Sequence, residues 1–355
     1  MNAFLTFFVN QIVGSLFENA PEIEELGDIF VGGNGDDNLQ GGDQDDIFLG
    51  GDGNDVILGG AGTDVVFAGA GDDTVVGQTG NDVAFLGSGH DRFIWNNGDG
   101  SDFINGGKGF DITEVNGADG AGDAFDLRQV DGQAIFNRLN LGLFTLTNEK
   151  IEQFEINGQG GDDSLTIGDL TGSAVQSVVF SGGAGNDFLD ASGTLTPITA
   201  DGGAGDDILI GGAGDDILIG GDGADLLIGG AGNDILIGGS GAVSIGFDTG
   251  AAFNAADIGT DLIQNFGADD SIVLDVTVFT LLTSAIGGPP SASEFAVVDS
   301  DEAAALSDAL IVYGANSGNL YYNANGAAEG FGDGAQFATI EGAPELDADN
   351  FVIQA

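Results

Sequence analysis

Cysteine is absent from this 355-residue chain, which excludes disulfides, thiolate metal sites and cysteine nucleophiles. The single histidine, His90, excludes zinc motifs built on paired histidines and most histidine-based triads. Positive charge is nearly missing as well. Arg92, Lys108, Arg128, Arg138 and Lys150 face 58 acidic residues, for a net charge of −53, and residues 1–91 and 151–355 hold neither Lys nor Arg. No basic cluster is available to meet nucleic-acid phosphates or an anionic membrane, so neither partner is expected. Proline is scarce at 5, and the 66 glycines show no Gly-X-Y period, which rules out collagen. Against these absences, 42% of residues are hydrophobic and 25 are Phe, enough to build a core. A chain this acidic repels itself unless cations lie among its carboxylates.

No long apolar run marks a transmembrane span. Residues 1–17, MNAFLTFFVNQIVGSLF, are apolar but broken by Asn10 and Gln11, and no basic residue precedes them as in a cleaved signal. Leu5, Phe8, Ile12 and Leu16 recur at helical spacing, which predicts an amphipathic helix. Such a helix either caps an open end of the fold or touches a membrane or another copy.

From Gly32 to Ile94 the chain is seven consecutive nine-residue units: GGNGDDNLQ, GGDQDDIFL, GGDGNDVIL, GGAGTDVVF, AGAGDDTVV, GQTGNDVAF and LGSGHDRFI. The sixth position is always Asp: Asp37, Asp46, Asp55, Asp64, Asp73, Asp82 and Asp91. Looser units follow at 97–105 and 106–114, with Asp102 and Asp111, after a two-residue insertion. A second array at 202–237 carries Asp207, Asp216, Asp225 and Asp234, and outlying copies carry Asp163 and Asp187. Each unit joins a glycine-rich turn to a three-residue strand whose middle, eighth-position residue points inward (Leu39, Phe48, Ile57, Val66, Val75, Phe93). Two units complete a coil of eighteen residues, so Asp37, Asp55, Asp73 and Asp91 stack in one column and Asp46, Asp64 and Asp82 in another. At a rung spacing of ~4.8 Å, bare neighbouring carboxylates repel by ~3 kcal/mol even at an effective dielectric of 20. A cation between them is required, and oxygen-only ligands in a flexible cage select Ca²⁺. Position five, in contrast, varies (Asp36, Asn54, Thr63, His90), so simple solvation of acidic turns does not explain the fixed phase at six. An EF-hand is excluded because no Glu stands at the twelfth position of such a loop.

The pattern resembles the Gly-Gly-x-Gly-x-Asp-x-hydrophobic-x repeat of RTX calcium-binding proteins. The resemblance implies an all-β parallel β-roll in which one turn gives the carbonyls of its second and fourth residues plus its Asp. The turn eighteen residues on gives the carbonyls of its first and third residues plus its own Asp. Carried over, one site is Gly33, Gly35 and Asp37 with Gly50, Asp52 and Asp55. Others are Gly203, Gly205 and Asp207 with Gly220, Asp222 and Asp225, and Gly212, Gly214 and Asp216 with Gly229, Ala231 and Asp234. With Asp46, Asp64, Asp73, Asp82, Asp91 and Asp187 in the same roles, about seven interior Ca²⁺ sites are expected. Gln44 stands where a left-handed turn wants Gly, so the site around Asp46 and Asp64 is the doubtful one; Gln78 and Leu86 also replace leading glycines.

The domain reading that follows is a helical cap at 1–31, a first calcium roll at 32–114, a calcium-poor β-solenoid or β-insert at 115–181, a second roll at 182–244 and a β-module at 245–355. The last module, with GTDLIQNFGADDSIVLD and LDADNFVIQA, resembles the C-terminal module of serralysins and other type I secreted RTX proteins. That resemblance implies an uncleaved C-terminal export signal and an extracellular or cell-surface location. No nucleophile elbow, phosphate loop or zinc motif is present, so a non-enzymatic structural or interaction role is expected, with a secreted enzyme or toxin-like effector as the alternative. Positions seven and nine should face outward, yet they hold Ile47, Leu49, Val65, Phe67, Val83 and Phe85 in the first array and Ile208, Ile210, Ile217, Ile219, Leu226, Ile228, Ile235 and Ile237 in the second. If exposed, these apolar stripes predict self-association or a cell-surface or matrix partner.

Overall fold

The computed structural model describes residues 26–326 and 328–355; the helix expected at 1–17 lies outside them. The chain divides into two compact units, one of residues up to 159 with 168–179, the other of 160–167 with 180–355. Both are built almost wholly of β-strands, and the architecture is a parallel β-solenoid.

In the first unit successive strands land on two facing parallel sheets. One sheet orders Leu26–Asn34, Asp45–Asp52, Val65–Ala70, Val83–Gly89 and Phe103–Gly109; the other orders Asn38–Gln40, Val56–Ala61, Thr74–Thr79, Arg92–Asn96 and Ile112–Asn116. Partners lie one coil apart, Ile47 beside Val65 and Val65 beside Val83. The turns between strands close because Gly51 and Gly53 sit at φ +120° and +124°, where an L side chain is strained. Phe48, Ile57, Val66, Val75, Ala84 and Phe93, all at the eighth position, are completely buried. Each large one contributes ~1.5–3 kcal/mol of apolar burial.

The region after residue 115 in this unit breaks the parallel pattern. Ala124–Val130, Gln133–Arg138 and Phe144–Glu149 pair antiparallel, and the last returns parallel to Phe103–Gly109. Asp131 and Gly132, at φ 52° and 88°, form the two-residue link of the first hairpin, the backbone hand that matches strand twist. Trp95, at the two-residue insertion, is buried and stacks on Phe144 with ring centroids 3.7 Å apart.

In the second unit the parallel order is Ser164–Ile167, Phe188–Asp190, Ile208–Ile210, Leu226–Ile228, Ser244–Phe247, Ser271–Asp275 and Phe351–Gln354 on one sheet. The other carries Ile198–Ala204, Ile217–Asp222, Ile235–Ser240, Asp261–Gln264 and Gln336–Ile340. The region after 245 therefore continues the same sheets: Ile235 pairs with Leu262, and Ser244 with Ser271. Asn319–Tyr322 turns antiparallel between Ile311–Gly314 and Gln336–Ile340. Two one-turn helices, α1 (Ala255–Ile258) and α2 (Asp301–Ala304), are capped by Asn254 and Ser300. Among the described residues no helix is long and apolar enough to cross a membrane.

The outward positions do not form one uniform exposed stripe. Ile47, Val65 and Val83 are only 6%, 1% and 0% exposed and cluster with Phe67, Phe85 and Phe103. Ile210, Ile217, Ile219, Leu226, Ile228, Ile235 and Ile237 are half-buried, shielded by the rungs above and below, whereas Leu49 and Ile208 are exposed.

Candidate metal centre

The repeat aspartates are joined along each column by one hydrogen bond per coil. Asp37 N–H donates to Asp55 Oδ1, Asp55 N–H to Asp73 Oδ1 and Asp73 N–H to Asp91 Oδ1, each at 2.8 Å. The facing column repeats this, Asp46 to Asp64 and Asp64 to Asp82, also at 2.8 Å. The insertion at Trp95 is absorbed without breaking either column, since Asp82 donates to Asp102 and Asp91 to Asp111, both twenty residues on. In the second unit Asp163 donates to Asp187, Asp187 to Asp207, Asp207 to Asp225 and Asp216 to Asp234, at 2.7–3.0 Å.

That bond uses one carboxylate oxygen and leaves the other. Oδ2 of Asp37, Asp55, Asp64, Asp73, Asp82, Asp91, Asp102, Asp111, Asp187, Asp207, Asp225 and Asp234 is buried and has no hydrogen-bond partner. Burying an ionised oxygen unpaired is costly, so this oxygen calls for a cation. Its surroundings fit one. A methyl group on Gly32 would strike both Asp37 Oδ2 and the carbonyl oxygen of Gly50. The same is true at Gly50 for Asp55 and Ala68, at Gly202 for Asp207 and Gly220, and at Gly220 for Asp225 and Gly238. The first-position glycine is thus required for space: it lets a carboxylate oxygen and the carbonyl of the next coil converge. Among the described residues no three Asp, Glu or His side chains group together, so the donor set is carboxylate plus backbone carbonyl. Such hard oxygens suit Ca²⁺.

The electrostatics agree. Burial, followed by repulsion from neighbouring carboxylates, pushes Asp64, Asp91 and Asp234 up to about 7. The same causes push Asp73, Asp187 and Asp207 up to about 6. Asp82 and Asp102 titrate as a buried pair and are also pushed up, desolvation first. Asp64, Asp91 and Asp234 therefore hold protons into the neutral range unless a cation enters.

The family model of the RTX calcium-binding nonapeptide repeat (4 copies) matches residues 25–57, 58–93, 97–112, 178–193, 199–227 and 210–245. The chain carries RTX calcium-binding repeats. No curated protein matches it. Among solved structures it is similar to the extracellular lipase LipA from Serratia marcescens, at 19% identity and a TM-score of 0.22, covering 82% of this chain and 40% of the lipase chain. A likeness of that size carries no argument about function.

Within the RTX turns, the carbonyls named from sequence lie at the coil junctions. Gly33, Gly35, Gly203 and Gly205 are all left-handed, and the Asp52 and Asp222 carbonyls accept the N–H groups of Gly35 and Gly205 at 2.5 and 2.8 Å. Gly229, at a first position, would meet Asp234 Oδ2, and Ala231 N–H donates to the Gly212 carbonyl at 3.0 Å. Two turns differ. Asp46 Oδ2 accepts Gly42 N–H at 3.0 Å, and Asp216 Oδ2 accepts Gly212 N–H at 2.7 Å, so neither has a spare oxygen. Gly42, Gln44, Gly212 and Gly214 are not left-handed there. The strain expected at Gln44 is avoided because its turn takes another form. The turn at 211–216 has an unbroken repeat sequence, but its neighbour is the irregular run 191–197: a methyl on Gly212 would meet the carbonyls of Ala191 and Thr194. Gln78 does adopt the left-handed conformation, at φ 66°.

Two features were not read from sequence, a column at position five and the role of Asp261. Position five forms its own outer column, with Asn54 N–H donating to Asp36 Oδ1, Asp72 to Asn54 and His90 to Asp72, each at 2.8 Å. The recurrence of Asp and Asn there was the available signal. Asp102 and Asp111, the aspartates of the two looser units, share the buried, half-partnered state of the other repeat aspartates. Asp261 extends the second column, its Oδ1 accepting Asp234 N–H at 3.0 Å across twenty-seven residues, a gap that no fixed period reveals.

Proposed function

We propose that this is a secreted RTX β-roll protein that folds on calcium outside the cell and serves as a structural or interaction component of a surface or matrix. The observation that carries the reading is the column of buried Asp Oδ2 atoms without partners. A fold that buries them needs calcium to be stable. On the eighteen-residue pairing, without the turns of Asp46 and Asp216 whose second oxygens are already bonded, about five interior sites are proposed. Extracellular modules bind Ca²⁺ with dissociation constants of ~10⁻⁴–10⁻³ M. At ten times that concentration each site adds ~1.4 kcal/mol, and five add ~7 kcal/mol, comparable to a domain's whole stability. At far lower cytosolic calcium the sites add almost nothing, so the chain stays expanded inside and folds after export. The lack of Cys suits threading through a type I exporter. Exposed apolar residues on the sheet faces, including Phe188 and Ile208 at 37% and 39%, support lateral association over a catalytic role.

Circular dichroism in calcium and in EDTA tests the switch. A β-rich spectrum that forms only with calcium supports it, and one unchanged by chelator removes it. Sedimentation and negative-stain imaging in calcium test assembly. Sheets, filaments or concentration-dependent growth support the proposed role, and monomers at every concentration oppose it.

A further inference from the structure

Within the first unit, the turn at 117–123 has the geometry of a repeat turn but is satisfied without an ion. A methyl on Gly117 would meet Asp123 Oδ2 at 2.5 Å and the Gly158 carbonyl at 2.9 Å, the arrangement seen at Gly32 and Gly50. Here Asp123 Oδ2 accepts Ala118 N–H at 2.7 Å. Its Oδ1 accepts Arg138 Nε at 2.5 Å, and the guanidinium, 3% exposed, also donates to Asn97 Oδ1 at 2.7 Å. A side chain supplies the positive charge that the other turns lack.

The coils beside it are also held by side chains. Arg92 Nη1 donates to Glu114 at 2.7 Å and to Glu155 at 2.5 Å, joining three neighbouring strands. Asn116 donates to Asn96, and Asn157 to Asn116, at 3.2 and 2.9 Å, in a column of amides where carboxylates would repel. Thr113 Oγ1 donates to the buried Asn148 Oδ1 at 2.8 Å. Inside, Phe136 lies between Phe144 and Phe154, with centroid distances of 6.0 and 6.3 Å.

We propose that residues 112–157, joined by Arg92 and Asn97, form a calcium-independent nucleus in which Arg138 stands in for the ion, and that the calcium-dependent coils at 32–91 assemble on it. The inference rests on the reading that those coils need calcium, and the experiment separates the two. Hydrogen exchange of the full chain, resolved by mass spectrometry, is measured in EDTA and in calcium. In EDTA, amides of 112–116 and 125–157 should exchange at least tenfold more slowly than those of 46–91, and calcium should protect both. Equal exchange of the two regions in EDTA, both fast, overturns the nucleus. Slow exchange of 46–91 in EDTA overturns the calcium reading beneath it. Arg138→Gln should abolish the slow set in EDTA, and Arg138→Lys should retain much of it. Unchanged protection in Arg138→Gln overturns the assignment to Arg138.

Discussion

Replacing Asp73 by Asn should stabilise the protein in chelator and destabilise it in calcium. Asn keeps the Oδ1 that accepts Asp55 N–H at 2.8 Å, so the backbone ladder is retained. It removes the buried, unpartnered Oδ2 and its charge. Without calcium that charge is a burden: burial pushes the Asp73 carboxyl up from 3.8 to about 6. Two pKa units correspond to ~3 kcal/mol at pH 8, and screening at the solvent edge of the turn halves this to ~1.5 kcal/mol. The Asp73→Asn variant should gain that amount in EDTA. In calcium Asp73 borders two intercoil gaps, toward Asp55 and toward Asp91, and losing both sites costs ~3 kcal/mol at ten times the dissociation constant. Urea unfolding followed by Trp95 fluorescence reports on this unit, since Trp95 is the one tryptophan and is 1% exposed. Destabilisation of the same size in EDTA and in calcium would refute the reasoning, because the carboxylate would then be acting through ordinary packing.

The pH dependence should likewise invert with calcium. Asp64, Asp91 and Asp234 are raised from 3.8 to about 7, so the folded state binds protons more tightly than the unfolded chain. The metal-free fold therefore holds this stability below pH ~4 and loses it progressively as pH rises from ~4 through ~7, while acid weakens the calcium form by competing for the same oxygens; urea midpoints across pH 5–8 check both signs. Gly51→Ala places a Cβ against the Gly33 carbonyl at φ +120°, and should cost at least ~2 kcal/mol in thermal or urea unfolding. Gln78→Gly relieves a left-handed side chain at φ 66° and should gain ~1 kcal/mol, visible as a higher Tm in calcium.

The stacking of aspartates one coil apart is legible because a nine-residue period fixes both the strand face and the turn phase, and the apolar eighth position repeats in step. What escapes such reading is whatever depends on a neighbour of different sequence. The turn at 211–216 keeps every repeat residue yet takes another form, because the coil beside it is the irregular run containing Thr194 and Pro197. The antiparallel strands Ala124–Val130 and Gln133–Arg138 show apolar alternation, but alternation does not say which sheet they join. Arg138 read as one of five scattered cations; only the fold brings it to Asp123, fifteen residues away in sequence. The outer column at position five was hidden by its mixed composition, since Asp36, Asn54 and Asp72 accept the same bond with the same geometry.

The most direct test is a crystal structure grown in calcium, with anomalous data collected at long wavelength. Peaks should lie beside Oδ2 of Asp55, Asp73, Asp207 and Asp225, between coils and within reach of backbone carbonyls. Carboxylates turned to solvent, with only water between the coils, would contradict the central claim.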